Sequence, residues 1–276
     1  MAKRQNPPRI LLTPGPVTTS ARVKQSMLED LGTWDRDYLA LTEHGRHCLL
    51  ALAASLEAPY TAVLFAGSGP SAGESVISRL PPGQLAVFAN GTHGERMADI
   101  GRIHKIPATL VRQRDSQPVE VGMVRDALAP EPGIRYVGLV HGETTTGLLN
   151  PLHELAQAAK HEDRIVLVDA VSSFGGYPLP VGDWGIDVLM TATNKCLQGV
   201  PELGIVVAEK FMRSAEGQGR PLSLRLHNQW RTMNDRGGKW RYTSPTQSVQ
   251  ALKAAFLRAT IATAPIKRRC RRRCAA

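Results

Sequence analysis

The stretch VLMTATNKCLQGVPELGIVVAEK, residues 188–210, sets a single lysine between two apolar runs. Residues 188–193 are short, uncharged and rich in side chains that suit a strand buried on both faces, and a second such run starts at Gly204. Gly199, Val200 and Pro201 break the chain between them. An isolated ammonium is costly inside a core. Lys195 is therefore read in one of two ways, as a surface lysine at a strand end or as an amine aimed into a crevice to form an imine.

Working outward, the same kind of run recurs along the chain. Strands are predicted over 61–66, 85–89, 108–111, 136–141, 164–169, 187–193 and 204–208. Helices are predicted over 20–29, 39–56, 71–79, 93–104, 119–129, 151–161 and 246–262. Alternating strands and helices predict an α/β fold, a mostly parallel sheet covered by helices.

The polar residues then fall into place. GSGPSAGE follows the first predicted strand, NGTHGERM the second and GETTTG the fourth. Asp169 closes the fifth strand, and Asn194 and Lys195 follow the sixth. All five groups lie at carboxyl ends of strands, the edge where open α/β sheets bind ligands.

Each group has a plain reading and a chemical one. A Gly-Ser-Gly turn entering a helix is a structural turn, or a cradle of N–H groups for a phosphate at the positive end of the helix. It is neither a Walker loop nor G-x-G-x-x-G. Asp169, after an apolar run, either caps a turn or pairs with a cationic partner such as a protonated ring nitrogen. His93 is a helix-start residue, or a flat ring able to stack on a ligand. A lysine in a partly dry pocket loses basicity and becomes nucleophilic, which gives Lys195 its role.

The 276 residues are 42% hydrophobic, enough for a sizeable core. No apolar run approaches the ~20 residues of a membrane span, and residues 1–10 lack an apolar leader. Four cysteines without finger spacing upstream of the tail point to a reducing cytoplasm and no disulfide framework. Six of the net +10 charges lie in PIKRRCRRRCAA, residues 265–276. This segment is read as a solvated basic tail rather than a specific nucleic-acid contact, and its arginines disfavour a metal at Cys270 and Cys274.

Taken in order, GSG at 67–69, NGTHGERM at 90–97, HGETTTGLLNPL at 141–152, VDAVSSFGG at 168–176, TATNKCLQGVPELG at 191–204 and GKWRYTSPT at 238–246 closely resemble the class V, fold-type I aminotransferases. The stretches at 11–28, 33–38 and 223–231 resemble the same family, so the likeness runs from about residue 10 to about residue 256. It implies pyridoxal 5′-phosphate as cofactor. It also implies Lys195 as the Schiff-base lysine, Asp169 at the pyridine nitrogen and His93 at the place of the stacking aromatic. Thr144 falls near the ring oxygen, Ser68 and Gly69 in the phosphate cradle, and Asn194 beside the lysine. Thr243 matches a residue that reaches the phosphate from the second subunit of a homodimer.

Within the family the motifs lean toward amine transfer from 2-aminoethylphosphonate to pyruvate, giving phosphonoacetaldehyde and alanine. Pro70 and Gly73 depart from the family pattern at the phosphate turn. The resemblance implies an N-terminal arm at 1–19 and a cofactor-binding large domain at 20–262. A basic tail at 263–276 stands where the family continues with a small domain that supplies a carboxylate-binding arginine. Open alternatives are a class V enzyme moving amines from alanine or serine to glyoxylate or pyruvate, an inactive truncated remnant, and a nucleic-acid binder acting through its tail.

Overall fold

The computed structural model describes residues 10–53, 60–208 and 220–257. The basic segment 263–276, the last residues of the 20–262 domain and residues 1–9 of the arm lie outside the described residues. The strands are β1 (Thr61–Ala66), β2 (Gln84–Ala89), β3 (Ala108–Arg112), β4 (Ile134–Val140), β5 (Gly142–Glu143), β6 (Leu148–Leu149), β7 (Ile165–Asp169), β8 (Val188–Ala192) and β9 (Leu203–Ala208). The helices are α1 (Ala21–Gln25), α2 (Arg36–Leu52), α3 (Gly69–Ile77), α4 (Thr92–Ile103), α5 (Val121–Leu128), α6 (Leu152–His161), α7 (Leu226–Asp235) and α8 (Thr246–Phe256).

Seven strands form one sheet in the order β1-β9-β8-β7-β4-β2-β3, and β5 pairs with β6 in a small hairpin. β3, β2, β4, β7 and β8 are joined by parallel pairings, while β9 runs antiparallel to both β8 and β1. Six strands thus share one direction, and their carboxyl ends share one edge. The sheet is mostly parallel, as expected, with β9 alone reversed. β8 and β9 are buried along their whole length, which accounts for their unbroken apolar sequence.

Helices cover this sheet. α3 packs on β8 and β9, α4 on β2, β3 and β4, α6 on β4 and β7, and α2 and α7 on β1. Pro70 sits in the first turn of α3, where a missing N–H costs nothing, so the Gly-Ser-Gly-Pro turn starts the helix at Gly69 rather than at residue 71. α2 starts at Arg36, three residues before its apolar pattern, and Asp35 just ahead of it accepts the Gly32 N–H at 2.6 Å. α7 was not predicted, although Leu226, Trp230 and Met233 recur at helical spacing. Among the described residues no helix is long and apolar enough to cross a membrane. Cys196 Sγ donates to the Ser172 carbonyl oxygen at 3.2 Å.

The segment between α7 and α8 is tied to α2 by buried polar contacts. Tyr38 on α2 is fully buried and donates its hydroxyl to Ser244 Oγ at 2.5 Å, and Trp240 Nε1 donates to Thr42 Oγ1 at 3.3 Å. Removing the Tyr38 hydroxyl leaves the Ser244 hydroxyl buried and without that partner. Tyr38→Phe is expected to lower unfolding free energy by about 1–2 kcal/mol, read as an earlier denaturant midpoint at unchanged slope.

Candidate active site

The common strand edge carries a cavity of about 220 Å³. Its walls come from four strand ends and one bend near the start of the chain. Ser68 and Gly69 follow β1, His93 follows β2, Asp169 ends β7, and Asn194 and Lys195 follow β8. Six of the eight residues expected at the site therefore line one space. Thr144 does not line it. It sits in the β5–β6 turn with its hydroxyl bonded to that of Ser172, three residues beyond Asp169. Thr243 is solvent-exposed and outside the cavity.

Strand register explains why Asp169 and Lys195 meet. β7 and β8 are parallel neighbours with Asp169 opposite Met190, so Lys195 emerges just beyond the end of the next strand. Asp169 Oδ1 accepts the Val171 N–H at 2.9 Å, and among the described residues it has no ion-pair partner. Burial pushes its carboxyl up, against the Val171 hydrogen bond and the nearby His93 and Arg96 charges. Desolvation pushes the Lys195 ammonium down, with Asp169 acting in the opposite sense. An acid made weaker and a base made weaker in one crevice are poised to accept a cationic partner and to act as a nucleophile.

The phosphate-like corner is the start of α3. Ser68 stands at the N-cap in extended conformation but makes no side-chain capping bond, so its hydroxyl is not committed to the helix. Gly67 has φ +144°, a conformation that side chains avoid, and a Cβ there would lie 2.4 Å from Ser71 Oγ. Gly69 leaves room for Val171, whose Cγ2 a Cβ would meet at 2.7 Å.

Six wall residues were not singled out in the sequence, Val171 and Met190 beside the strand ends and four others that shape the space. Arg96 is an exposed guanidinium one turn past His93. Met97 and Ile100 supply apolar wall. Gly15, in the bend at 13–16, lies against the lysine itself. The bend is held by Thr13 Oγ1 donating to Pro16 O at 2.8 Å and Leu11 N–H donating to Thr18 Oγ1 at 2.6 Å. Nothing in the local pattern of Thr-Pro-Gly-Pro tells which distant residue it covers.

Another missed residue stands behind His93. Glu143, with no side-chain exposure, receives His93 Nδ1 at 2.6 Å and the His93 backbone N–H at 3.0 Å. Burial would raise its carboxyl, but hydrogen bonds from His93 and from the Thr145 hydroxyl and N–H hold it down to about 2. The neighbouring His141 is also buried and bonds Ser173 Oγ through Nδ1 at 2.9 Å; desolvation lowers it to about 4.

A family model described as aminotransferase class-V matches residues 42–269. The chain belongs to the class V aminotransferases. A 2-aminoethylphosphonate–pyruvate transaminase of Syntrophobacter fumaroxidans is 45% identical over 93% of this chain and 70% of its own length. One from Vibrio cholerae is 42% identical over 90% of this chain and 68% of its own. Among solved structures, an alanine–glyoxylate aminotransferase from Nostoc superposes with a TM-score of 0.84 at 23% identity, covering 98% of this chain and 72% of the other. A pyridoxamine–pyruvate aminotransferase from Mesorhizobium loti gives 0.82 at 22% identity, covering 92% and 66%. The fold is that of the fold-type I aminotransferases.

Pyridoxal 5′-phosphate is the cofactor of this family, and the residues present fit it. The cavity offers a carboxylate short of a counter-charge, an amine of reduced basicity, a flat ring, and a helix start with an uncommitted hydroxyl.

Two outcomes follow from this geometry. A Cβ on Gly15 would lie 2.2 Å from Lys195 Cδ and 2.9 Å from its Nζ, at a φ of +155°. The flexible lysine must yield, so Gly15→Ala should melt within a few degrees of the parent protein yet bind pyridoxal phosphate at least about tenfold more weakly by absorbance titration.

Acid should act through the two depressed groups. Each contributes stability that is full above its unfolded value and lost as pH falls toward its folded one. The windows are 6.5 to about 4 for His141 and 4.5 to about 2 for Glu143. Between pH 6.5 and 4, His141 accounts for about 3 kcal/mol of lost unfolding free energy, a slope that His141→Gln should flatten in denaturant titrations.

Proposed function

We propose that this chain transfers the amino group of 2-aminoethylphosphonate to pyruvate, leaving phosphonoacetaldehyde and alanine. The observation that carries this reading is the convergence of Lys195, Asp169, His93 and the Ser68–Gly69 turn on one cavity. Relatives at 45% and 42% identity are named for that reaction, which supports the choice of substrates.

Bound pyridoxal phosphate supplies an electron sink that eases loss of a proton from the carbon bearing the amine. In our reading Ser68 and Gly69 hold its phosphate with the Ser68 hydroxyl and the first N–H groups of α3, where the helix dipole favours an anion. Asp169 binds the ring nitrogen as a cationic N–H. A desolvated carboxylate without an ion pair gains the most from such a partner, and the pairing keeps the sink protonated. His93 covers the ring face. Lys195, its basicity lowered by desolvation, would hold the cofactor's aldehyde end through Nζ and would move the proton of the carbon that bears the donor amine. Thr144 is assigned to the ring oxygen and Asn194 to the side of the lysine.

We take the working form to be a homodimer, with Thr243 of one copy reaching the phosphate of the other. The exposure of Thr243, with Leu222 and Tyr242 also exposed beside it, supports a surface that a second copy covers. Residues 20–262 are proposed as the cofactor-binding domain, with 1–19 as its arm. A cytoplasmic location is our reading, in keeping with four cysteines that show no disulfide-framework spacing in the sequence.

The test is an absorbance titration with pyridoxal phosphate, followed by 2-aminoethylphosphonate and then pyruvate. The expected result is a visible band missing in Lys195→Ala, bleached by the phosphonate and restored by pyruvate. A band that ignores the phosphonate but responds to alanine would move the donor to the amino acids. A chain with no lysine-dependent band would overturn the assignment of Lys195.

A further inference from the structure

Glu143 is the most completely satisfied buried acid at the cavity edge, and the proposed chemistry does not use it. It ends the β4–β5 segment, and both its oxygens are spent on the start of α4 and on its own turn. Oε1 accepts His93 Nδ1 at 2.6 Å, Thr145 Oγ1 at 2.8 Å and Thr145 N–H at 3.1 Å; Oε2 accepts His93 N–H at 3.0 Å. The α4 N-cap is Gly91, which has no side chain to cap the helix. Glu143 takes that place from another element, and a Cβ on Gly91 would lie 2.5 Å from Glu143 Cγ. The Thr92 N–H closes the lattice onto Thr145 Oγ1 at 3.3 Å.

We infer that Glu143 is the positioning residue for His93, its buried carboxylate fixing both the tilt and the tautomer of the imidazole that lines the cavity. An ionised carboxylate can only accept. The ring must therefore donate from Nδ1, which leaves Nε2 as the atom turned away from Glu143. Bonds to both the ring and the backbone of one residue leave that ring little freedom about χ2. A ring held before the ligand arrives loses less freedom when it stacks. This inference rests on His93 covering the cofactor ring, as proposed above.

A glutamine cannot replace this group. Each oxygen of Glu143 faces at least one N–H donor, so either orientation of an amide sets NH₂ against N–H. Glu143→Gln should weaken pyridoxal phosphate binding about tenfold, the scale of a lost aromatic stack. The same change in a His93→Phe background should do nothing further, because phenylalanine has no Nδ1 for Glu143 to hold.

The experiment is that double-mutant cycle on the full chain, read as cofactor dissociation constants. It is paired with nitrogen-15 NMR of His93 in the cofactor-free parent protein, assigned with His93→Phe. The expected results are an Nδ1–H tautomer and a loss confined to the histidine background. An Nε2–H tautomer, an equal loss in both backgrounds, or no loss in either would overturn the inference. Should Glu143→Gln fail to fold, Thr145→Val takes its place in the cycle. It removes one bond from Oε1, so a loss of about two- to threefold is expected, again only with His93 present. A parent protein without a lysine-dependent band would sink the proposed function instead, and the tautomer would still decide this point.

Discussion

Parallel pairing along one sheet edge is the constraint on which the rest depends. The pairings of β2, β4, β7 and β8 run in one direction. Each strand therefore ends on the same side, and whatever residue follows it is delivered to the same crevice. Asp169 and Lys195 come from adjacent strands and His93 from a third, Asp169 as the last residue of β7 and the other two a few residues past the ends of β8 and β2. The reversed strand β9 preserves this arrangement. It carries the chain back after the lysine turn and packs against β1, whose own end supplies Ser68. Gly204 on β9 lies so close that a Cβ would sit 2.8 Å from the Ser68 carbonyl, which pins the phosphate-like corner to the lysine strand pair.

Charge in the crevice is handled in two ways. Glu143 is buried with every oxygen satisfied, and it is held ionised down to about pH 2. Asp169 is left with one backbone hydrogen bond and a raised carboxyl. The first is a finished structural interaction. The second is an incomplete one, as a binding group should be before its ligand arrives. The contrast separates support from function among acids of the same type less than one strand apart.

Much of this was legible in the sequence because burial on both faces leaves a simple mark. β1 was anticipated at its observed limits, and the other six main strands to within a couple of residues. Helix starts were read less well, since the first turns of α2 and α3 are polar or glycine-rich and carry no apolar period. α7 was overlooked, its sparse apolar residues masked by polar neighbours in LHNQWRTMND. At the site, residues announced by a strand end or a glycine turn were found: Ser68, Gly69, His93, Asp169, Asn194 and Lys195. Gly15, Arg96 and Glu143 were not, because their importance lies in what they touch. Glu143 was in plain view within GETTTG, but only the tertiary structure shows that its carboxylate turns back to α4.

The contact between Gly15 and Lys195 bears on when the lysine becomes reactive. Its wall comes from residues far apart in sequence, the bend at 13–16 and the turn after β8. On an unfolded or half-folded chain Lys195 is an ordinary solvated amine, as inert toward aldehydes at neutral pH as any other lysine on the surface. Its lowered basicity exists only once the sheet has closed and the early bend has settled over it. Reactivity is in this sense a property of the finished fold, and the nascent chain carries its nucleophile disarmed.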